Sequence, residues 1–236
     1  MAYHYLDYEQ LHKFCAAAFR SYGFDEKDAG EITDILLAAD LNGIESHGVQ
    51  RMVRYDYEIA SGMVDMSSKP EIVYETPMSA VIDAHNGMGQ VVGRMAMQIA
   101  IEKAKKVGCG MVSVRRSNHY GIAGYYTEMA AKEDLMGLCM TNTEAIMVPT
   151  YGKQPMIGTN PIALAMPADP IPSPSTAPPP SCRAASSRYS PSAAIPCRWA
   201  GAWMRTARIP PTRRASFPTS SPRSAAVFCP WAAPAS

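Results

Sequence analysis

The sequence predicts an α/β fold with a helical part at its N-terminus, and three observations carry that prediction. The β-branched, apolar run Met111-Val112-Ser113-Val114 precedes Ala123 to Ala131, a stretch of helix formers, which is the strand-to-helix alternation of an α/β protein. Ahead of residue 60 the apolar spacing is helical. Composition then changes near residue 170. All 21 Asp and Glu lie in residues 1–169 with 14 Lys and Arg, a balance of 14 − 21 = −7, whereas residues 170–236 carry eight Arg and no acid, +8. The overall charge of +1 therefore averages two unlike segments.

With 236 residues and 47% hydrophobic content, the chain has enough apolar material for one or two domains with a real core. The tail is different: it holds 14 of the 20 Pro and contains no Leu, Asn, Gln, His or Lys, so residues 170–236 are expected to be disordered. The six Cys show neither metal-ligand spacing nor the density of a secreted disulfide scaffold; reduced thiols and no metal site are the expectation. The N-terminus, MAYHYLDYEQ, is polar and acidic, and no apolar run reaches membrane-spanning length. A cytoplasmic chain with no membrane partner follows.

Taken in order, Asp7 is placed to cap a first helix, with Gln10 three residues on and Leu11, Phe14, Cys15 and Ala18 marking its apolar face. Gly23 ends it. A second helix starts near Asp25, buries Ala29, Ile32, Leu36 and Ala39, and stops at Asn42-Gly43. For a third, Ser46 is a plausible N-cap, and His47, Arg51 and Tyr55 fall at i, i+4 and i+8 on one face. An Arg fork at that place can hold a carboxylate by two charge-assisted hydrogen bonds, while a solvated polar stripe would show the same spacing. Ile72-Val73-Tyr74 and Ala80-Val81-Ile82 flank Thr76-Pro77-Met78-Ser79 as a hairpin.

Gly87-Met88-Gly89-Gln90-Val91-Val92-Gly93 has its third glycine one residue too late for a dinucleotide fingerprint, and no acid follows at the required distance. It reads instead as the glycine-rich start of a helix running to Lys106, with Val92, Ala96, Ile99 and Ala100 inward and a stop at Gly108. His119, in Asn118-His119-Tyr120-Gly121, falls on the turn between the Met111 strand and the Ala123 helix. Loops at the carboxyl ends of strands are where ligands gather in α/β proteins, and an imidazole there can exchange protons near neutral pH. A strand ending in Thr141-Asn142 follows. Gly158-Thr159-Asn160-Pro161 then leads into the strand Ile162-Ala163-Leu164-Ala165-Met166, with small residues and a hydroxyl that leave backbone N–H groups open to a phosphate.

In this order and spacing, Ser46-His47-Gly48-Val49 with Arg51, Asn118-His119-Tyr120-Gly121, Thr141-Asn142 and Gly158-Thr159-Asn160-Pro161 resemble the malate/L-lactate dehydrogenase-like family of NAD(P)-dependent oxidoreductases over residues 6–169. The resemblance implies a homodimeric α/β fold whose nucleotide-binding sheet is not of the Rossmann type, in keeping with the failed fingerprint. It implies hydride transfer between NAD or NADP and a small 2-hydroxy or 2-oxo carboxylic acid. Members act on malate, lactate, sulfolactate, ureidoglycolate, diketogulonate or cyclic imino acids. Carried onto this sequence, the implied roles are His47 or His119 as acid/base with Ser46 orienting His47, Arg51 as carboxylate clamp, Tyr55 lining the substrate pocket, and Thr141, Asn142, Gly158, Thr159, Asn160 and Pro161 on the cofactor. The expected organisation is a helical part with the substrate-side motif at 1–69, an incomplete nucleotide-binding α/β domain at 70–169, and the disordered tail at 170–236.

The resemblance stops just after Met166-Pro167-Ala168-Asp169. The tail's excess of Pro, Arg, Ala and Ser is what GC-rich coding DNA yields when read out of register. Codons chosen for Ala226 to Ser236 and read one base earlier give GGILPLGGTGE, a string of the family; Cys197 to Gly201 can give MPLGW, and Trp203 to Ala207 VDADG. The sequence thus predicts a frameshifted translation from about residue 170, with activity impaired or the chain an inactive fragment. A rival of another class is a nucleic-acid-binding protein using the Arg-rich tail, but the same Arg excess follows from the frameshift and no aromatics are interleaved with it.

Overall fold

The chain is described here from a computed structural model that covers residues 5–167 and the backbone of two later segments, 173–177 and 224–229. All of these fall in one unit, formed by Met1–Pro179 with Pro222–Ser236. Asp7 accepts the Gln10 N–H at 2.9 Å and starts α1 (Tyr8–Tyr22), which ends at Gly23 with φ 112°. Asp25 accepts the Asp28 N–H at 2.8 Å and starts α2 (Glu26–Leu41), closed at Asn42-Gly43. Both caps were legible in the sequence. The apolar face of α1 was read one step out of phase: Cys15, Ala16 and Phe19 are buried, while Phe14 is 65% exposed. Its true partners are Phe24, Ile32, Leu36 and Tyr55, which form a core of their own with Val64 and Met88.

The third helix departs from expectation at its start. Residues Glu45–His47 and Val49–Arg51 form two 3₁₀ turns, and α3 proper spans only Met52–Ala60. Ser46 therefore caps nothing. The break sits at Gly48, where a Cβ would lie within 2 Å of the Asp40 carboxylate (1.8 Å), while Asp40 accepts the Val49 N–H at 2.8 Å. Asp40 thus takes the capping role the sequence had given to Ser46.

The sheet is built from the hairpin β1 (Glu71–Glu75) and β2 (Ser79–Asp83), then β3 (Cys109–Arg115), β4 (Met136–Thr141) and β5 (Ile162–Met166). Two further strands, β6 (Ser173–Ala177) and β7 (Ser224–Cys229), complete the order β1-β2-β3-β7-β4-β5-β6. β2, β3, β7 and β4 run parallel; β1, β5 and β6 add antiparallel margins. Between them run α4 (Gly89–Val107), stopped at Gly108 with φ 90°, and α5 (Ala123–Ala131), the range the sequence predicts. Val92, Ala96 and Ala100 of α4 meet Ala80, Ile82, Val112 and Val114 of the sheet in the main core. No helix among the described residues is long and apolar enough to cross a membrane.

β6 and β7 are two strand segments within the tail that the sequence expects to be disordered. Most of residues 170–236, and with them the Arg-rich stretch, lie outside the described residues. β6 pairs with β5 at the margin of the sheet, the place where a strand containing Pro174 is tolerated because one side needs no N–H donors. β7 has no proline, and it fills the slot between β3 and β4, pairing with both. Composition averaged over the tail concealed this short apolar run.

Candidate active site

The carboxyl ends of β2 and β3 are pinned before they deliver their loops. Asp83, fully buried, accepts from Arg115 Nε at 2.9 Å, Arg116 Nε at 2.8 Å and the His85 N–H at 3.0 Å. These bonds, the Arg116 pair foremost, hold its carboxyl well below the usual carboxylate range. The turn 117–121 then leaves β3. Asn118 Nδ2 donates to the carbonyls of Asn86 (2.7 Å) and Gly87 (3.1 Å), and the N-terminal residue of α4 packs directly beneath: a Cβ on Gly89 would sit 2.3 Å from the Asn118 carbonyl oxygen. Gly121 takes φ 84° with its α-carbon against Ile35, so that a larger residue there would be both strained and blocked.

This turn carries His119 to a cavity of about 250 Å³. The cavity is lined by His47, Arg51 and Arg54 from the broken third helix, by residues 117–121, by Thr141, Asn142, Thr143, Glu144 and Ile146 leaving β4, and by Thr159 and Pro161 entering β5. The two imidazoles face each other with ring centroids 5.5 Å apart and planes 29° from parallel. Ser46 Oγ lies 2.9 Å from His47 Nδ1, so Ser46 orients the ring from behind. Arg51 Nε donates to the Ser46 carbonyl at 2.5 Å. Among the described residues the terminal amino groups of Arg51 have no partner and are the donors available to a ligand. Arg54, which shares the wall, donates from Nε to Glu58 Oε1 at 2.5 Å.

Burial and the positive charges around them set the histidines' protonation. Desolvation first, then Arg51 and Arg54, bring His47 down to about 4. Desolvation first, then His47 and the two arginines, bring His119 down to about 3. Both rings are neutral at pH 7. A bound carboxylate on Arg51 would cancel part of that depressing charge and raise both rings towards the range where they exchange protons.

Tyr55 is not on the cavity wall where the sequence reading put it. It is fully buried, one layer below, with its hydroxyl 2.6 Å from His119 Nδ1 and 2.7 Å from the Gln90 amide nitrogen that donates to it. Gly158 and Asn160 do not line the cavity either. Gly158 is buried against Thr143, where a Cβ would meet Thr143 Oγ1 at 2.3 Å, and Asn160 Oδ1 accepts the Thr143 N–H at 2.8 Å. Thr143 Oγ1 in turn accepts the Thr159 N–H at 2.8 Å. The loop leaving β4 and the one entering β5 are thereby joined into a ledge. Sequence reasoning missed Arg54, Thr143 and Gln90. Arg54 lies three residues after Arg51 and Thr143 two after Thr141, spacings that could have placed both on the same walls; for Gln90 the sequence carries no such signal.

Comparisons with known proteins point to one family. The pattern of a family described as malate/L-lactate dehydrogenase matches residues 6–175. A malate dehydrogenase of Pyrococcus abyssi is 50% identical over 159 residues, covering 67% of this chain and 44% of that protein. An L-sulfolactate dehydrogenase of Methanocaldococcus jannaschii is 45% identical over 157 residues, 66% of this chain and 46% of its own length. The solved structure of malate dehydrogenase from Pyrococcus horikoshii OT3 superposes with a TM-score of 0.69 at 44% identity, over 74% of this chain and 52% of that one. The chain thus spans about half the length of the curated relatives it matches.

Proposed function

The chain belongs to the malate/L-lactate dehydrogenase family, and on that premise we propose that it derives from an NAD- or NADP-dependent oxidoreductase that interconverts a small 2-hydroxy acid and its 2-oxo acid. The observation that carries the reading is the cavity that holds His47 and His119 face to face with the terminal nitrogens of Arg51 on the same wall. A substrate carboxylate takes the Arg51 fork, and the oxygen on its second carbon falls between the two imidazoles. Hydride transfer at that carbon requires a proton to move at that oxygen, and neutral imidazoles a few ångströms away are suited to manage it.

The residues fit the nicotinamide end of the cofactor. Thr141, Asn142 and Thr159 make the ledge polar where a carboxamide-bearing ring would lie, and the bound ring would supply or accept the hydride. Ligand pockets for larger molecules begin at roughly 300 Å³, so about 250 Å³ admits a short acid and a ring but not a whole dinucleotide. The rest of the cofactor site belongs to the part of the family fold that this chain does not share with its relatives. Malate and sulfolactate, the acids in the names of the relatives above, both carry a second anionic group. Such dianions are therefore the first acids to test, with Arg51 as the group that takes the carboxylate next to the reacting carbon. A cytoplasmic homodimer is part of the same proposal, with activity impaired in the printed chain.

The test is a one-base correction of the coding DNA around the codons for Pro167 to Pro174. The corrected protein is expected to consume NADH or NADPH with a member of a panel made up of the 2-oxo acids oxaloacetate, sulfopyruvate and pyruvate together with cyclic imino acids, and the uncorrected chain is expected to show no turnover. Absence of turnover by the corrected, folded protein across the whole panel would overturn the reading.

A further inference from the structure

A buried side chain that takes no part in the cavity wall governs one of its histidines. Gln90, on the first turn of α4, is fully buried and donates from Nε2 to the Tyr55 hydroxyl at 2.7 Å. A phenol has one hydrogen. With its oxygen occupied as acceptor from Gln90, Tyr55 directs that hydrogen to the other neighbour within reach, His119 Nδ1 at 2.6 Å. Burial pushes the Tyr55 phenol up, so it keeps the hydrogen. The backbone N–H of Gly121 points at the same nitrogen at 3.4 Å, a second donor that does not depend on how the Gln90 amide is turned.

We propose that Gln90, acting through Tyr55, is a positioning residue that fixes neutral His119 in the Nε2–H tautomer, so that the ring meets the cavity as a hydrogen-bond donor. Nδ1, with two donors aimed at it, is left as the acceptor and Nε2 carries the ring proton. Turning the carboxamide over would reverse the chain, with His119 Nδ1–H donating to Tyr55 and Tyr55 to Gln90 Oε1. That arrangement is the less favourable of the two. Gln90 Oε1 is a buried atom without a partner among the described residues, and inverting the amide would pair it but leave both hydrogens of the NH₂ group unsatisfied, so the amide gains nothing in number, while the Gly121 N–H would now face another N–H at His119 Nδ1.

The charged and titratable groups around His119 are His47, Arg51 and Arg54 across the cavity, Tyr55 beneath and Glu144 on the cavity wall; Glu144 is not among the charges that shift the ring, and Nδ1 itself is met by Tyr55 and the Gly121 N–H. For a bound substrate the consequence rests on the function proposed above. A neutral Nε2–H donor holds and polarises the carbonyl oxygen of a 2-oxo acid but has no lone pair to take a hydroxyl proton. In this state, proton exchange with the substrate oxygen falls to His47, whose Nδ1 is held by Ser46.

The tautomer itself needs neither substrate nor cofactor to be tested. The full chain, labelled with ¹⁵N at its five histidines, is observed through the two-bond couplings of the imidazole ring, with the His119 signals identified by their loss in His119→Gln. The expected wild-type pattern at neutral pH is a protonated Nε2 and an unprotonated Nδ1. Gln90→Met keeps the volume and removes the donor, freeing Tyr55 to accept. The Nδ1–H form should then appear, and the His119 pKa should rise by about one unit or more towards the ordinary imidazole value. Tyr55→Phe removes the phenol hydrogen that holds Nδ1 as acceptor but puts no acceptor in its place, so the preference for Nε2–H should weaken with no rise in pKa. A wild-type ring protonated on Nδ1 would overturn the proposal, as would folded Gln90→Met and Tyr55→Phe proteins that both keep the wild-type pattern, with the Gln90→Met pKa unmoved. The wild-type spectrum alone decides the tautomer should either variant not fold, and a failure of the dehydrogenase reading would leave it untouched.

Discussion

Two regions of this molecule sit in one sheet and are held there in different ways. In residues 5–167 several elements carry their own start, stop or buried face: Asp7 and Asp25 cap α1 and α2, Gly23 and Gly108 terminate α1 and α4, and alternating residues of β2 and β3 meet α4. β6 and β7 have none of these signals. They are defined by backbone pairing to strands that the rest of the chain has already placed. β7 also lies where a one-base shift turns Ala226-Val227-Phe228-Cys229 into Gly-Gly-Ile-Leu, the start of a family string. The comparison teaches that a strand without local signals of its own can be set by its neighbours, because the N–H and C=O rows of β3 and β4 are costly to leave buried and unpaired.

The largest effect should come from emptying the slot that β7 fills. Deleting residues 222–236 from the printed chain removes β7 and leaves β3 and β4 facing each other without a partner. The expected outcome is loss of cooperative unfolding and a shift to aggregates in size-exclusion chromatography, since two buried strand margins and the apolar residues between them become available to other copies. A deleted chain that stays monomeric with an unchanged thermal transition would mean that the pairing of β7 contributes nothing and that the body folds without it.

What was legible in the sequence follows the same division. α5 and β5 were delimited to the residue because helix formers and an alternating apolar run leave little competition. The four motif segments of the cavity were found, and the structure brings His47, Arg51, His119, Thr141, Asn142, Thr159 and Pro161 around one cavity. The errors came where tertiary contacts decide. Tyr55 shares a helical face with Arg51 by spacing, but the 3₁₀ turns at 45–51 rotate that face and send the ring under His119. Gln90 reads as a helix-surface residue; only the close approach of Gly89 to the 118–119 backbone brings α4 near enough to bury it. Phe14 is apolar and exposed, which periodicity alone cannot foresee.

Inside the body, acid should act first at the histidine pair. Both rings have folded-state values, about 4 and about 3, below the unfolded value of about 6.5. Between those limits the unfolded chain binds more protons, so stability rises with pH. The contribution is fully present above about pH 6.5 and is lost as pH falls towards 4 and then 3. Shifts of this size correspond to roughly 3 kcal/mol for His47 and roughly 5 kcal/mol for His119, upper bounds because the two are coupled. Urea midpoints measured from pH 7 down to pH 4.5 should fall for the wild type and fall less for His119→Gln, which has no proton to gain. Identical slopes would place the acid sensitivity elsewhere. Asp83 is a separate case: its depressed carboxyl contributes stability that is lost only at lower pH, as acid approaches its folded-state value.

A smaller effect is expected at Arg51, in the frame-corrected protein. Arg51→Lys keeps the charge, but an ammonium cannot bond the Ser46 carbonyl and also present two coplanar donors to a carboxylate. Losing one charge-assisted bond of roughly 1.5 to 3 kcal/mol should lower kcat/KM by about tenfold or more. An unchanged kcat/KM for every acid turned over would remove Arg51 from carboxylate binding.

The smallest effect isolates the local signals that the tail strands lack. Asp25 accepts the Asp28 N–H at 2.8 Å and adds a negative charge at the N-terminus of α2, a helix whose Ala29, Ile32 and Leu36 are fully buried. Asp25→Ala leaves that N–H without its acceptor and should cost about 1 kcal/mol, read as a lower urea midpoint at an unchanged slope. Asp25→Asn keeps the acceptor and loses the charge, and should cost a few tenths of that. If β6 and β7 are held only by pairing, substitutions within them that keep the backbone free to pair, such as Ser175→Ala, should leave the midpoint where it is. A cap whose removal costs nothing would break the contrast from one side, by showing that α2 too is placed by its surroundings and not by its own ends.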